Sequence, residues 1–239
     1  MFVRDSDNAD HHEAPSDSAQ TEFLAECYQL LQQTYGHRHW WPAETEEEIV
    51  IGAILTQNVS WSNVQKAIGR LRRAGLLSLN AIHEEPDERL APLLRSTRFY
   101  NVKTQRLKNF TAWLHATYSG SLSQMLQTDT TILRRQLLSV KGVGEETADT
   151  ILLYVGHRPV FVIDEYTRRI IQRLRNIDRA WRYADFQAYF TRNLPQDVGL
   201  YSDYHAQLVH LGHAVCLATK PECALCPLHN ACLLPEQPL

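Results

Sequence analysis

Four of the five cysteines in this chain, Cys216, Cys223, Cys226 and Cys232, crowd into its last two dozen residues with the spacing C-x6-C-x2-C-x5-C. Thiols at that density force the end of the chain into a closed loop, held either by disulfides or by a shared metal centre. The opening residues, MFVRDSDNADHHEAPSDSAQ, lack the apolar stretch of an export signal, which predicts a cytoplasmic protein whose thiols stay reduced. One soft metal centre is therefore expected. Tetrahedral zinc and a four-iron cluster both accept four cysteine thiolates, and spacing alone leaves both open. Cys27 stands apart on an N-terminal helical segment and reads as a buried apolar thiol.

The rest of the chain is patterned for helices. Its 239 residues, 44% of them hydrophobic, suffice for one large domain or two small ones. No apolar run approaches the roughly 20 residues of a membrane span. Val64, Ala67, Ile68 and Leu71 recur at helical spacing, as do Ala148, Ile151, Leu152 and Val155. Gly and Pro punctuate helices rather than hairpins, at Leu90-Ala91-Pro92 and Gly156-His157-Arg158-Pro159. VFVI at 160–163 is the one strand-like run. Residues 1–20 are polar and acidic, and a disordered tail is expected there. That tail holds five acids against Arg4, a net of −4, so the folded remainder is close to neutral and no nucleic-acid coat. Within it Arg95, Arg98, Lys103, Arg106 and Lys108 form a basic stripe, which is either a solvated helix face or a track for a phosphate backbone.

In LLSVKGVGEETADTILLYV an amphipathic segment runs into Gly142-Val143-Gly144 and then into a second helix. Such a turn is either a plain interhelical connection or a phosphate site, where freed N–H groups at a helix start meet an anion. Glu145 and Glu146 follow in the first helical turn, where carboxylates favour the macrodipole. Asp164 closes the apolar run 160–163 ahead of Tyr166, Ile170, Ile171 and Leu174, the position of a helix N-cap.

Taken together, GAILTQN, FYNVK, KGVGEETAD, VFVID and the cysteine loop resemble the endonuclease III superfamily, the helix-hairpin-helix DNA glycosylases, from about residue 23 onward. The cysteine spacing is the most specific element, since it equals that of the family's 4Fe-4S cluster, and the resemblance implies that cofactor in a structural, DNA-proximal role. It further implies an all-α fold of two domains, with damaged double-stranded DNA bound across the cleft between them. Residues 43–157 would form the helical domain with the hairpin; residues 21–42 and 158–239 would form the iron-sulfur cluster domain. A monomer, nucleoid-associated in a bacterium or archaeon, is expected, with an AP endonuclease acting downstream in base excision repair.

Carried over residue by residue, Gly142 and Gly144 match hairpin glycines that contact phosphate, and Lys141 is expected on phosphate beside them. Asp164 matches the catalytic aspartate, which would stabilise the positive sugar and orient or deprotonate the attacking water. Relatives that also cut the backbone carry a lysine two positions after GVG to form a Schiff base. Glu146 stands there instead, which implies a monofunctional glycosylase without AP-lyase activity.

The run WWP, GAILTQN with an aromatic beyond it, FYN and KGVG is similar to the 3-methyladenine DNA glycosylase branch. Trp40, Trp41 and Trp61 would then clamp the flipped base, a cationic alkylated purine gaining about 0.5–2 kcal/mol from indole faces. Members of that branch can lack the four cysteines, which the pyrimidine-repair branch keeps. An oxidised or deaminated pyrimidine is therefore the alternative substrate, and a non-catalytic DNA-damage-binding protein the alternative class. Gln57 matches a residue that fills the hole left by the flipped nucleotide, and Phe99 a wedge that enters the stack. Asn58 would line the pocket or touch the backbone; Lys103 is expected on phosphate.

Overall fold

A computed structural model describes residues 17–38, 40–175, 177 and 180–233. Twelve α-helices run through them, and among the described residues there is no β-strand. The first half holds α1 (Asp17–Tyr35), α2 (Glu46–Thr56), α3 (Trp61–Arg73), α4 (Leu79–Glu84), α5 (Asp87–Leu93) and α6 (Tyr100–Tyr118). It is followed by α7 (Leu122–Leu126), α8 (Thr130–Ser139), α9 (Glu145–Tyr154), α10 (Glu165–Arg175), α11 (Tyr183–Asn193) and α12 (Val198–Ala214). Two 3-10 turns, Cys223–Leu225 and His229–Ala231, lie in the cysteine loop.

Local chemistry sets the helix starts. Thr45, Ser78, Ser121, Asp129 and Asp197 each accept a backbone N–H with a side-chain oxygen, satisfying donors that a helix leaves unpaired. Glu46, Glu47 and Glu48 add negative charge at the start of α2. Helix α1 begins at Asp17, so residues 17–20, assigned to the tail from sequence, are helical. Residues 1–16 lie outside the described residues.

The helices enclose two apolar cores. One is built from α2 to α9, including Val50, Ile54, Val64, Leu71, Phe110, Leu137 and Ile151. The other joins α1 to the chain after α9, with Leu24, Leu31, Phe161, Phe186, Tyr204 and Leu228 among its members. Helix α9 serves both, giving Ala148, Ile151 and Leu152 to the first and Leu153 and Tyr154 to the second. A buried polar bridge crosses nearby: Arg134 on α8 grips Asp149 in a two-bond fork at 2.6 and 3.0 Å, and Gln187 on α11 donates to the same carboxylate at 2.8 Å.

Two sequence expectations fail for physical reasons. VFVI pairs with no strand; Phe161, Val162 and Ile163 are apolar because they are buried, with Phe161 stacked on Phe190 at 3.9 Å. Pro92 sits inside α5 rather than after a helix end. It lies one residue from the end of a seven-residue helix, where few intrahelical bonds remain to be lost.

The segment between α1 and α2 is pinned to α12. Buried Asp203 accepts from the Arg38 backbone N–H at 2.8 Å and the Tyr28 hydroxyl at 2.9 Å, and Gln207 donates to the Gly36 carbonyl at 2.7 Å. Trp40 and Trp41 follow this anchored stretch directly.

Candidate active site

Where the two cores meet, a cavity of about 260 Å³ is lined by Trp40, Trp41, Trp61, Glu146, Asp164 and His205. The α1–α2 segment brings Trp40 and Trp41, α3 brings Trp61, α9 Glu146, α12 His205, and Asp164 stands just before α10. An open groove of about 710 Å³ runs beside it along Gln57, Asn58, Arg106, the hairpin residues and Arg168. Glu146 and Thr147 line both spaces and form the sill between them.

Asp164 is an N-cap and a cavity carboxylate at once. Its Oδ1 accepts the Thr167 N–H at 2.7 Å, and its side chain keeps 12% exposure. Burial works against its charge, but His205 and the Thr167 amide hold the carboxyl below the ordinary aspartate value. Glu146 behaves oppositely: desolvation of its carboxyl first, then the charge of Asp164, push it up to about 7, even though the residue as a whole is exposed at the groove. The two carboxyls of this cavity are thus shifted in opposite directions, Asp164 down and Glu146 up.

The three tryptophans form a mutually tilted cluster, with ring centres 5.2–5.8 Å apart and Trp41 edge-on to Trp61. No two of these rings are stacked in parallel. Gly52 on α2 lets the Trp41 indole lie against the helix, since a Cβ there would stand 3.3 Å from the ring.

Along the groove, Gln57 is held on both sides. Its Nε2 donates to the Gly142 carbonyl at 3.0 Å and to the Thr147 hydroxyl at 2.8 Å, while Arg106 donates to its Oε1. Gly142 adopts φ +100°, and Gly144 caps α9 with open space around it. Asn58 and Phe99 both carry left-handed backbone, and the Phe99 ring is 65% exposed beneath the Arg98 guanidinium. A bulky residue held at positive φ with its ring in solvent is the kind of strain that accompanies function.

The family model for HhH-GPD superfamily base excision DNA repair proteins matches residues 51–196, a span holding the hairpin, Glu146 and Asp164. The chain belongs to this superfamily. It is a DNA glycosylase of base excision repair, and DNA is its partner. A Methanocaldococcus jannaschii protein named as a DNA repair glycosylase is 44% identical over 214 residues, covering 89% of this chain and 96% of the relative. Helicobacter pylori 3-methyladenine DNA glycosylase MagIII, bound to 1,N6-ethenoadenine, superposes with a TM-score of 0.70 at 26% identity, over 80% of this chain and 96% of that one. A trapped endonuclease III–DNA covalent intermediate shares the fold at a TM-score of 0.77 and 20% identity, over 89% and 95% of the two chains.

In this HhH-GPD glycosylase one expected DNA contact is withdrawn. Lys103 is 2% exposed, and its ammonium donates to the carbonyls of Ile54 at 3.3 Å and Gln57 at 2.6 Å. It caps the end of α2 and faces no phosphate. Of the basic stripe, Lys108 donates to the carbonyls of Ile82, His83 and Glu85 and Arg106 to Gln57, while Arg95 and Arg98 stay exposed. Lys141 is exposed next to the hairpin glycines.

The glycosylase's four C-terminal cysteines surround a cavity of about 150 Å³, together with Arg173 and His229. Among the described residues no group of three Cys, His, Asp or Glu side chains is gathered tightly enough for a single ion. Burial pushes the Cys226 thiol up to about 11, so a thiolate there calls for added positive charge. Arg173 places Nη1 3.1 Å from the sulfur of another of the four, Cys216. Cys27 is buried in the core against which Cys216, Cys226 and Cys232 pack, its thiol pushed to about 12 by desolvation first.

His205, Tyr154 and Arg38 were missed from the sequence. They belong to no local pattern, and only the packing of α9 against α12 brings Tyr154 and His205 together.

Proposed function

We propose that this chain is a monofunctional DNA glycosylase that hydrolyses the N-glycosidic bond of a flipped, damaged base, an alkylated purine such as 3-methyladenine. The observation that carries it is one cavity holding three indoles and the ionised Asp164, with Glu146 where a lyase needs lysine; among the described lining residues there is no lysine. Asp164 stabilises the oxocarbenium-like sugar and directs water to it. A methylated purine is already cationic and departs neutral, so no general acid is required. The tilted indoles enclose the base, Gln57 and Asn58 face the groove beside the gap it leaves, and Phe99 is the wedge. Lys141, Gly142 and Gly144 hold phosphate at the hairpin. Cys216, Cys223, Cys226 and Cys232 hold a 4Fe-4S cluster, which fastens the C-terminal loop when bound.

The proposed domains are residues 43–157 as one unit and 21–42 with 158–239 as the other; the two apolar cores, which share α9, support this division. The enzyme acts as a monomer and leaves an abasic site for a separate AP endonuclease.

One observation favours a second substrate. Arg38 lines the same cavity, and a permanent guanidinium disfavours a cationic base while suiting the carbonyl oxygens of an oxidised or deaminated pyrimidine. A panel of lesion duplexes with separate base-release and strand-cleavage readouts decides between them. Release of 3-methyladenine without strand cleavage is expected. Release of an oxo-pyrimidine alone would transfer the assignment to the second substrate, and a borohydride-trapped covalent adduct would refute the monofunctional reading. Asp164→Asn is expected to bind lesion DNA and to lose base release by about 10² or more; release at the wild-type rate would remove Asp164 from the chemistry.

A further inference from the structure

Asp164 Oδ1 is occupied by the Thr167 amide, and what controls Oδ2 lies on the opposite wall. His205 on α12 is 4% exposed, and its Nε2 is buried without a hydrogen-bond partner, 3.7 Å from Asp164 Oδ2. Its other nitrogen, Nδ1, lies 2.7 Å from the hydroxyl of Tyr154 on α9. That hydroxyl also lies 3.3 Å from the Ser202 carbonyl. Tyr154 is 6% exposed and raised well above the ordinary phenol value by burial first and Asp164 second, so it keeps its proton.

A phenol has one proton to give, and the shorter contact is to Nδ1. A neutral imidazole accepting at Nδ1 must carry its own proton on Nε2, the nitrogen that faces the carboxylate. The opposite tautomer would aim a lone pair at Asp164 Oδ2 across a buried gap of 3.7 Å. At that distance the contact is not a hydrogen bond but an oriented N–H dipole in a dry setting.

We propose that His205 is a positioning residue for Asp164: Tyr154 fixes the ring as its Nε2–H tautomer, and that N–H keeps the carboxylate ionised with Oδ2 turned to the cavity. The inference rests on Asp164 being the catalytic carboxylate. The other ionisable groups lining the Asp164 cavity are Arg38 ahead of α2, Glu146 on α9, Tyr166 on α10, and His210 and His213 on α12. Burial and the Glu146 carboxyl oppose its ionisation, and His205 and the Thr167 amide sustain it.

The test is the titration of the Asp164 carboxyl itself, in the full-length holoenzyme labelled with carboxyl-¹³C aspartate and assigned with Asp164→Asn. In the wild type it titrates below ordinary aspartate. His205→Phe is expected to raise the midpoint by about one pH unit or more, His205→Gln to restore part of that shift, and Tyr154→Phe to raise it by less in the same direction. The acid limb of single-turnover base release moves with it. An unmoved midpoint in both His205→Phe and Tyr154→Phe overturns the inference, even if activity falls. Should His205→Phe fail to fold, Tyr154→Phe decides alone, since its ring still fills the core. Full base release by Asp164→Asn would instead overturn the catalytic reading, which is a separate outcome.

Discussion

Gly142 and Gly144 are equivalent in the sequence motif, yet the structure predicts opposite penalties for adding one methyl group. At Gly142 the backbone stands at φ +100°, beyond the left-handed well that other residues tolerate. A Cβ there would lie 2.4 Å from Arg106 Cγ, so the arginine must move and its donation to Gln57 is lost. Backbone strain of about 1–2 kcal/mol and a charge-assisted bond of about 1.5–3 kcal/mol give Gly142→Ala a loss of roughly 3–5 kcal/mol. In a domain of this size that lowers Tm by about 6–20 °C. Gly144 has φ −99° and nothing within 4 Å of an added Cβ. There the weaker N-cap, about 0.5–1 kcal/mol, is offset by reduced freedom of the unfolded chain, about 0.4–1 kcal/mol. Gly144→Ala should leave Tm nearly unchanged while weakening binding to an abasic-analogue duplex, because the methyl occupies the space proposed for phosphate. Urea or thermal unfolding beside fluorescence-anisotropy titration reads both quantities. Equal stabilities for the two variants would refute the reasoning, as would a Gly144→Ala protein that binds DNA like wild type.

Three further outcomes follow from buried groups. Desolvation lowers the Lys103 ammonium from 10.5 to about 8, so between those values the unfolded chain holds a proton that the folded chain has released. Its contribution to stability therefore rises with pH across that window, by about 3 kcal/mol; urea unfolding of wild type against Lys103→Met from pH 7 to 10.5 should show the difference growing, and a flat difference contradicts it. Asp149→Asn leaves Arg134 without its buried carboxylate and should cost about 3 kcal/mol in a denaturant midpoint series, with an unchanged midpoint counting against the bridge. Gly212→Ala would place a Cβ 2.5 Å from Tyr166 Cδ1. It should cost about 1–3 kcal/mol and, by moving a ring that lines the base cavity, slow base release more than it weakens DNA binding.

Periodicity exposed the helices because it reports the face a segment buries: Val64, Ala67, Ile68 and Leu71 are all inside. The same signal misled at VFVI, since a short apolar run marks burial and cannot tell a paired strand from a connector pressed between helices. Asp164 was legible twice over, as the end of an apolar run and as a motif residue. Lys103 was misread because sequence counts charges without showing which of them turn inward to cap a helix. Tyr154 and His205 were invisible for another reason. Their partnership spans 51 residues, and each alone looks like an ordinary aromatic on a buried helix face.

Helix α9 belongs to both apolar cores, with Leu152 facing one and Leu153 the other. Neither core can melt without stripping a wall from its neighbour. Two compartments joined by a flexible tether would lose structure in separate steps, each leaving the other half intact. Here ten residues are shared by both halves, which couples the loss of one to the loss of the other. The cavity at their seam then exists whole or not at all.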